Sequence, residues 1–145
     1  MNKQTIEVGT VSNYKIKRFD AFSLSYVLEE GTNNAGKNGS VDIPGWHYNT
    51  KALEKFKNRG KVMFKKGIKD IINGETNVLG MINTIAIESS SKYKDVIIKT
   101  KSPRNAKSTI EKKGFNDPMV DTGKFVMNIG ARINKSRIVG RGLWI

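Results

Sequence analysis

The stretch KALEKFKNRGKVMFKKGIKDIIN, from Lys51 to Asn73, decides the fold, because its apolar residues recur every three or four positions. This spacing places them on one face of a helix that spans about 35 Å at 1.5 Å per residue. Asn49 or Thr50 is suited to cap the first turn, and Gly74 to end the helix in a left-handed conformation. The predicted apolar face consists of Leu53, Phe56, Gly60, Met63 or Phe64, Gly67, Ile68, Ile71 and Ile72.

Two glycines and two further periodic segments extend the helical part of the chain. Gly60 and Gly67 each cost roughly 1 kcal/mol against alanine inside a helix, so we expect them to allow close approach of a packed neighbour. A second helix is predicted from Thr76 to at least Ser89, and its continuation through Val96-Ile97-Ile98 stays open because that run also fits a strand. A short helix is predicted at 106–113, ended by the glycine that follows. The inward residues of the second helix are Leu79, Ile82, Ile85, Ala86 and Ser89.

Alternating or clustered apolar residues predict strands on both sides of the helices. They occur at 6–11, at 22–28 and in two pieces between 128 and 145. The segment 31–45 is rich in Gly and Asn and has no periodicity, which predicts a long flexible loop. We therefore predict one α+β domain over residues 1–145, with two long helices packed on one face of an antiparallel sheet.

Composition limits the classes of function. The 145 residues contain 26 Lys and Arg against 13 Asp and Glu, a formal net charge of +13, which indicates polyanions or acidic protein surfaces as partners. Cysteine is absent, which excludes disulfides, thiolate nucleophiles and Cys-ligated metals. The first residues lack the apolar core of a signal peptide and no apolar run is long enough for a membrane helix, so we expect neither secretion by that route nor a membrane span.

Two apparent binding motifs are weak. Residues 31–38 fit the G-x-x-x-x-G-K pattern of a phosphate loop, but Asn38 occupies the position of the Mg²⁺-binding Ser or Thr, and an extended segment follows where a helix is required. The only histidine, His47, has no second ligand at metal spacing and lies between aromatic residues, which favours packing. We predict no cofactor and no metal site.

The run Met119-Val120-Asp121-Thr122-Gly123 has the hydrophobic-hydrophobic-D-T-G pattern of aspartic proteases. One such Asp in each chain would require a dimer in which two carboxylates share a proton. The spacing disagrees, because two long helices precede the motif and only residues 124–137 separate it from the later hydrophobic-hydrophobic-Gly run. The alternative is a structural turn formed by Pro118, Asp121, Thr122 and Gly123, in which Gly123 has positive φ.

The basic residues form a candidate electrostatic face. Most of those on the first long helix avoid its apolar side, so they predict either a merely solvated surface or a docking face for a polyanion or an acidic ring. Aromatic residues do not alternate with the lysines, which argues against stacking of single-stranded bases. The face is predicted to comprise Lys51, Lys55, Lys65, Lys66, Lys69, Arg132, Arg137 and Arg141.

Several segments together resemble the bacteriophage virion-morphogenesis family, the neck or tail-completion proteins of the head–tail junction. SPRNAKSTIEKKG at 102–114 and PMVDTG at 118–123 are similar to that family's S-P-x-N-A-x-S-T-I-x-x-K-G and P-L-I-D-T-G. Upstream, LEEGT at 28–32 with Ile43-Pro44 resembles N-E-F-G-T … I-P, and Leu79-Gly80 fits the family's helical L-G. The segments occur in the same order as in the family and extend over most of the chain.

The resemblance implies a non-enzymatic virion protein, made in the host cytoplasm, that forms a ring around the DNA channel. Its partners would be further copies of itself, in six- or twelve-fold symmetry, and the neighbouring head-connector and tail proteins, with DNA phosphates in the lumen and no membrane. A basic nucleic-acid-binding protein and, less favoured, a D-T-G protease are the alternatives. Under the ring hypothesis, the predicted protomer-interface loop includes Asn33, Asn34, Lys37, Asn38, Ile43, Pro44 and Trp46.

Overall fold

A computed structural model describes residues 3–16 and 19–135, and the backbone of 137–139. It is an α+β fold in which two long helices pack together beside small antiparallel sheets. In chain order the elements are β1 (Ile6–Thr10), β2 (Lys15–Ile16), β3 (Phe19–Asp20), α1 (Ala21–Glu30), β4 (Gly31–Ala35), β5 (Val41–Pro44), α2 (Tyr48–Ile72), α3 (Val78–Lys99), α4 (Lys107–Lys113), α5 (Lys124–Met127), β6 (Ile129–Ile133) and β7 (Arg137–Val139).

The principal sheet joins the two ends of the described chain. Its strand order is β1-β6-β7, and every pairing is antiparallel, with Ile6 opposite Ile133 and Val8 opposite Ala131. These alternate residues form one apolar face, because side chains two apart in a strand point to the same side. That face packs against Met81, Ile82 and Ala86 of α3 and forms one of two hydrophobic clusters. The predicted N-terminal strand is thus confirmed, as is the predicted C-terminal strand pair up to Val139, while residues 140–145 of that prediction lie outside the described residues.

The long helices lie close to their predicted bounds, but Leu53 and Ile72 of the predicted apolar face of α2 are 62% and 79% exposed. The first was predicted from Lys51 to Asn73 and extends over 48–72, and Gly74 has φ +75, the left-handed value expected after its end. The open question about the second is settled, because α3 continues without a break to Lys99. Leu79, predicted to face inward, is instead 49% exposed, since it lies in the first turn of α3, beyond the sheet.

The sequence prediction was wrong for 22–28, which is helical. Asp20 caps α1 by accepting hydrogen bonds from the backbone N–H groups of Phe22 and Ser23, at 3.2 and 3.0 Å. The apparent strand alternation came from Phe22 and Tyr26, which are 45% and 68% exposed. Apolar residues on the solvent side of a helix thus imitated the period of a strand.

The segment 31–45, predicted as an irregular loop, is an antiparallel hairpin. Strands β4 and β5 pair from Gly31 opposite Pro44 to Ala35 opposite Val41, with a register shift between them. A phosphate loop requires a helix directly after its glycine-rich turn, whereas here the turn is followed by strand β5. The G-x-x-x-x-G-K match therefore lies in a hairpin and lacks the structure of a phosphate loop.

The two helix glycines differ in role. A Cβ on Gly67 would overlap Cγ of Met81 on α3 and lie 2.6 Å from its Sδ, so this glycine sets the separation of the two helices, as predicted. A Cβ on Gly60 would meet the ring of Phe56, one turn earlier on the same helix, at 2.9 Å. The expectation of a packed neighbouring element at Gly60 was therefore wrong, because the close contact lies within α2.

We predict that Gly67→Ala lowers the free energy of unfolding by about 1–2 kcal/mol, because the overlap with Met81 outweighs the gain in helix propensity. In a Met81→Ala background this overlap is absent. Gly67→Ala should then raise the free energy of unfolding by up to about 1 kcal/mol. Urea denaturation of the four proteins measures both effects. Equal destabilisation by Gly67→Ala in the two backgrounds would contradict the assignment.

Candidate interaction surfaces

The D-T-G run forms an exposed turn that ends in a left-handed glycine. Val120 N–H donates to the Asp117 carbonyl at 3.1 Å, and Gly123, with φ +76, begins the single helical turn α5. Asp121 and Thr122 are exposed, whereas Gly123 is buried. The positive φ predicted for Gly123 is confirmed, and the motif stands at the start of a short helix.

An apolar cleft of about 320 Å³ separates this turn from the N-terminal part of the chain. Leu24 and Leu28 of α1 line one side, and Pro118 with the D-T-G residues lines the other. Pro118 is half-buried beside the fully packed Met119. In the described part of the chain, no group of three His, Asp or Glu residues is arranged to hold a metal ion.

Trp46 brings three separated segments together. Its backbone N–H donates to the Leu28 carbonyl at 2.9 Å, and its indole Nε1 donates to the Pro103 carbonyl at 2.7 Å. Pro103 follows a cis peptide bond and lies just before α4. Trp46 is only 4% exposed and belongs to the main hydrophobic core. Its assignment to a protomer-interface loop was therefore wrong, because it fastens the base of the hairpin.

The remaining residues of the predicted interface loop divide between the tip and the stem of the hairpin. Asn33, Asn34, Lys37 and Asn38 are exposed at and near the tip. Ile43 is half-buried and packs against the core, while the neighbouring Pro44 is exposed. The tip thus projects polar side chains, and the stem is held by the body of the protein.

Five predicted lysines lie on one side of α2. Lys51, Lys55, Lys65, Lys66 and Lys69 fall within about one third of the helix circumference. All are exposed except the half-buried Lys51. Asp70 accepts a hydrogen bond from Lys66 at 2.6 Å, which raises the pKa of this lysine. We call this group of five the lysine face.

The predicted arginines are not part of the lysine face. Arg132 lies on β6, is half-buried, and donates to the Val11 carbonyl across the sheet. That bond engages one nitrogen of the guanidinium within the fold, and Arg132 lies on a sheet strand, so it does not group with the lysines of α2. Arg137 belongs to β7 by its backbone, and its side chain and the whole of Arg141 lie outside the described residues.

Large apolar side chains are exposed along the other edge of α2 and the start of α3. Phe64 is 54% exposed, Ile68 41% and Val78 53%. Together with Lys3, Gln4 and Ile6, they border a groove of about 610 Å³ between the two helices. The sequence placed most of these residues on an inward face, but α3 covers only part of it. We call this the apolar groove.

Three buried polar groups have no local signal in the sequence. The Glu29 carboxylate accepts the backbone N–H groups of Asn49 and Thr50, at 2.7 and 3.3 Å, and so caps α2 from the end of α1. The predicted local caps Asn49 and Thr50 instead supply donors. Tyr48 is fully buried and hydrogen-bonds Ser25, and its burial raises the pKa of the phenol. Lys94 is 6% exposed, and desolvation lowers the pKa of its ammonium group.

The described helices include none that is both long and apolar enough to cross a bilayer. Comparisons of the chain with protein-family models, with curated proteins and with solved structures found no match.

Proposed function

We propose that this chain is a structural protein of the bacteriophage neck, a neck or tail-completion protein that assembles as a ring around the DNA channel and joins the head connector to the tail. The ring is built from copies of this chain, in six- or twelve-fold symmetry. In the virion its neighbours are head-connector and tail proteins.

The observation that carries the proposal is the convergence of the segments with phage-like sequence. Leu28 of the LEEGT run and Pro103 of the SPRNAKSTIEKKG run are both bonded to Trp46, which follows Ile43-Pro44 almost directly. Leu28 also lines the cleft against the D-T-G turn. Motifs separated by up to about 90 positions therefore meet in one region, which is the arrangement expected if they specify one family fold.

The outer features suit contacts between copies. The hairpin tip extends polar side chains from a fixed stem, and β1 is an edge strand of the principal sheet within the described residues. Edge strands and projecting hairpins commonly pair with a neighbouring chain. A contact between two different surfaces of identical copies closes into a ring when its rotation is a divisor of a full turn.

The charge suits a position between acidic partners or beside DNA. The lysine face is opposite the side of α2 that packs on α3, so it stays accessible in the protomer. Contacts of lysine with phosphate are independent of base sequence and fall with salt, which lets DNA slide through a lumen.

The decisive experiment is electron microscopy of phage particles assembled without this protein. We expect filled heads beside separate tails, and rescue by the full chain supplied in trans. A variant that replaces residues 33–40 by Asn-Gly should fold, with an unchanged circular dichroism spectrum, but fail to rescue. Joined heads and tails in the absence of the protein would overturn the proposal, and rescue by the shortened hairpin would remove the tip from the interface.

The lysine face also favours a second candidate, a nucleic-acid-binding protein that works without a ring. Light scattering after size exclusion, combined with DNA titrations at several salt concentrations, separates the two. A monomer whose DNA affinity falls log-linearly with salt, and falls further in Lys55→Glu/Lys69→Glu, would favour the binder. Peptidase activity of the purified protein that disappears in Asp121→Asn would contradict both.

A further inference from the structure

The apolar groove is open, and three of the large apolar side chains that line it, Phe64, Ile68 and Val78, are exposed. It is lined by Phe56, Gly60, Phe64, Ile68 and Ile71 on one side and by the first two turns of α3 on the other. Exposed apolar patches of this kind mark sites of protein contact.

The border of the groove is positively charged. Lys57, Lys61 and Lys65 follow one another at i, i+4 spacing along the edge of α2 that carries Phe64 and Ile68, and all three are exposed. Lys3 stands at the other border. Of the described residues that line the groove, none is acidic. On the same edge of α2, Glu54 lies one turn before Lys57.

The charge distinguishes between occupants. A second copy seated by the same groove would bring two rows of lysines together, and like charges across an interface oppose association. A partner with apolar residues on one side and carboxylates beside them would pack in the groove and pair with the lysines at its border. A groove between two helices fits a third helix whose apolar side chains recur at i, i+3, i+4 and i+7.

We propose that the apolar groove between α2 and α3 is a docking site for an acidic amphipathic helix of another protein. The apolar side of that helix packs on Phe64, Ile68 and Val78, and its carboxylates face Lys57, Lys61 and Lys65. This site is distinct from the hairpin tip, shares Lys65 with the lysine face, and is lined at one border by Ile6 of β1. It does not depend on ring formation.

The test uses a labelled synthetic peptide of about 18 residues, roughly five helical turns, with Leu at i, i+3, i+4 and i+7 and Glu on its polar side. A twin carries Lys in place of Glu. Fluorescence anisotropy with the full-length protein should show saturable binding of the acidic peptide only. Ile68→Asp and Lys61→Glu should each weaken it at least about tenfold.

Two matched controls lie on the opposite side of α2. Val62, which is 60% exposed, tests the effect of a charge on the helix itself, and Lys55 tests the loss of any exposed lysine. Val62→Asp and Lys55→Glu should leave the affinity within about twofold, since neither residue borders the groove. Circular dichroism verifies that all four variants fold. If Ile68→Asp does not fold, the surface substitution Lys61→Glu still tests the proposal.

Three results would overturn the proposal. Equal binding of the acidic and basic peptides would remove the role of charge, and equal weakening by Val62→Asp and Ile68→Asp would remove the role of the groove. Self-association in sedimentation experiments that disappears in Ile68→Asp would assign the groove to a second copy. Because none of these measurements needs phage particles, their outcome is independent of the head–tail junction experiment.

Discussion

Replacing Glu29 by alanine is expected to lower the free energy of unfolding by about 2–4 kcal/mol, because hydrogen bonds to a charged group are worth about 1.5–3 kcal/mol each. The carboxylate is 9% exposed and accepts from Asn49 N, Thr50 N and Thr50 Oγ1, the last at 3.0 Å. Without it, the N–H groups that begin a 25-residue helix lose their partner and the favourable negative charge at the positive end of the helix dipole.

The matched control is the adjacent Glu30, which is exposed. Glu30→Ala should change stability by no more than about 0.5 kcal/mol, as is usual for surface substitutions. Urea denaturation at neutral pH compares the two variants, and hydrogen exchange should show faster opening of the first turn of α2 in Glu29→Ala. Similar losses for the two substitutions would mean that the capping contact contributes nothing specific.

Substituting Gly31 by alanine is expected to cost at least about 3 kcal/mol or to prevent folding, placing it among the most damaging single changes. Gly31 has φ +81, and a Cβ there would lie 2.6 Å from both the backbone nitrogen of Gly45 and the carbonyl oxygen of Ile43. Backbone atoms at the base of the hairpin cannot move aside as a flexible side chain would, so the strands must separate or the turn must distort.

Gly114 is a reference for a left-handed glycine without crowding. Its φ of +79 is nearly the same as that of Gly31, but a Cβ there would have no neighbour within 4 Å. Gly114→Ala should therefore show only the conformational term, about 1–2 kcal/mol. Thermal or urea unfolding of both variants measures the difference. It reports the crowding at the base of the hairpin together with the ψ of −176° at Gly31, a backbone region that is essentially restricted to glycine, whereas Gly114 has a ψ of 0°. Equal losses at Gly31 and Gly114 would show that crowding has no effect.

Elements that are determined by their own residues could be predicted from the sequence. The apolar period of α2, the glycines that end α2 and α4, and the paired strands near the C-terminus were all predictable, because each depends on spacing or on a backbone angle that glycine favours. Gly67 was recognised for the same reason, since a glycine on the apolar side of a helix indicates a close neighbour.

Contacts between distant parts of the chain were not predictable. The cap of α2 comes from Glu29, about 20 positions earlier, and the indole of Trp46 binds a carbonyl 57 positions away. The exposed sides of α1 and α2 carry large apolar residues, which made α1 resemble a strand and made the groove resemble core. A pattern of apolar residues gives the period of an element but does not show which neighbour covers it.

The closed base of the hairpin has a consequence for how this protein can vary. Trp46 and His47 donate backbone hydrogen bonds to Leu28 and Glu29, so residues 31–45 leave the body and return to it at the same place. Because the two ends of this hairpin are held together, its tip can gain or lose residues while α1 and α2 keep their positions. The entropic cost of closing a loop changes slowly with its length. Among relatives of this chain, we therefore expect insertions and deletions to concentrate around 36–40. The hairpin would then differ in length between relatives while the rest of the fold stays the same.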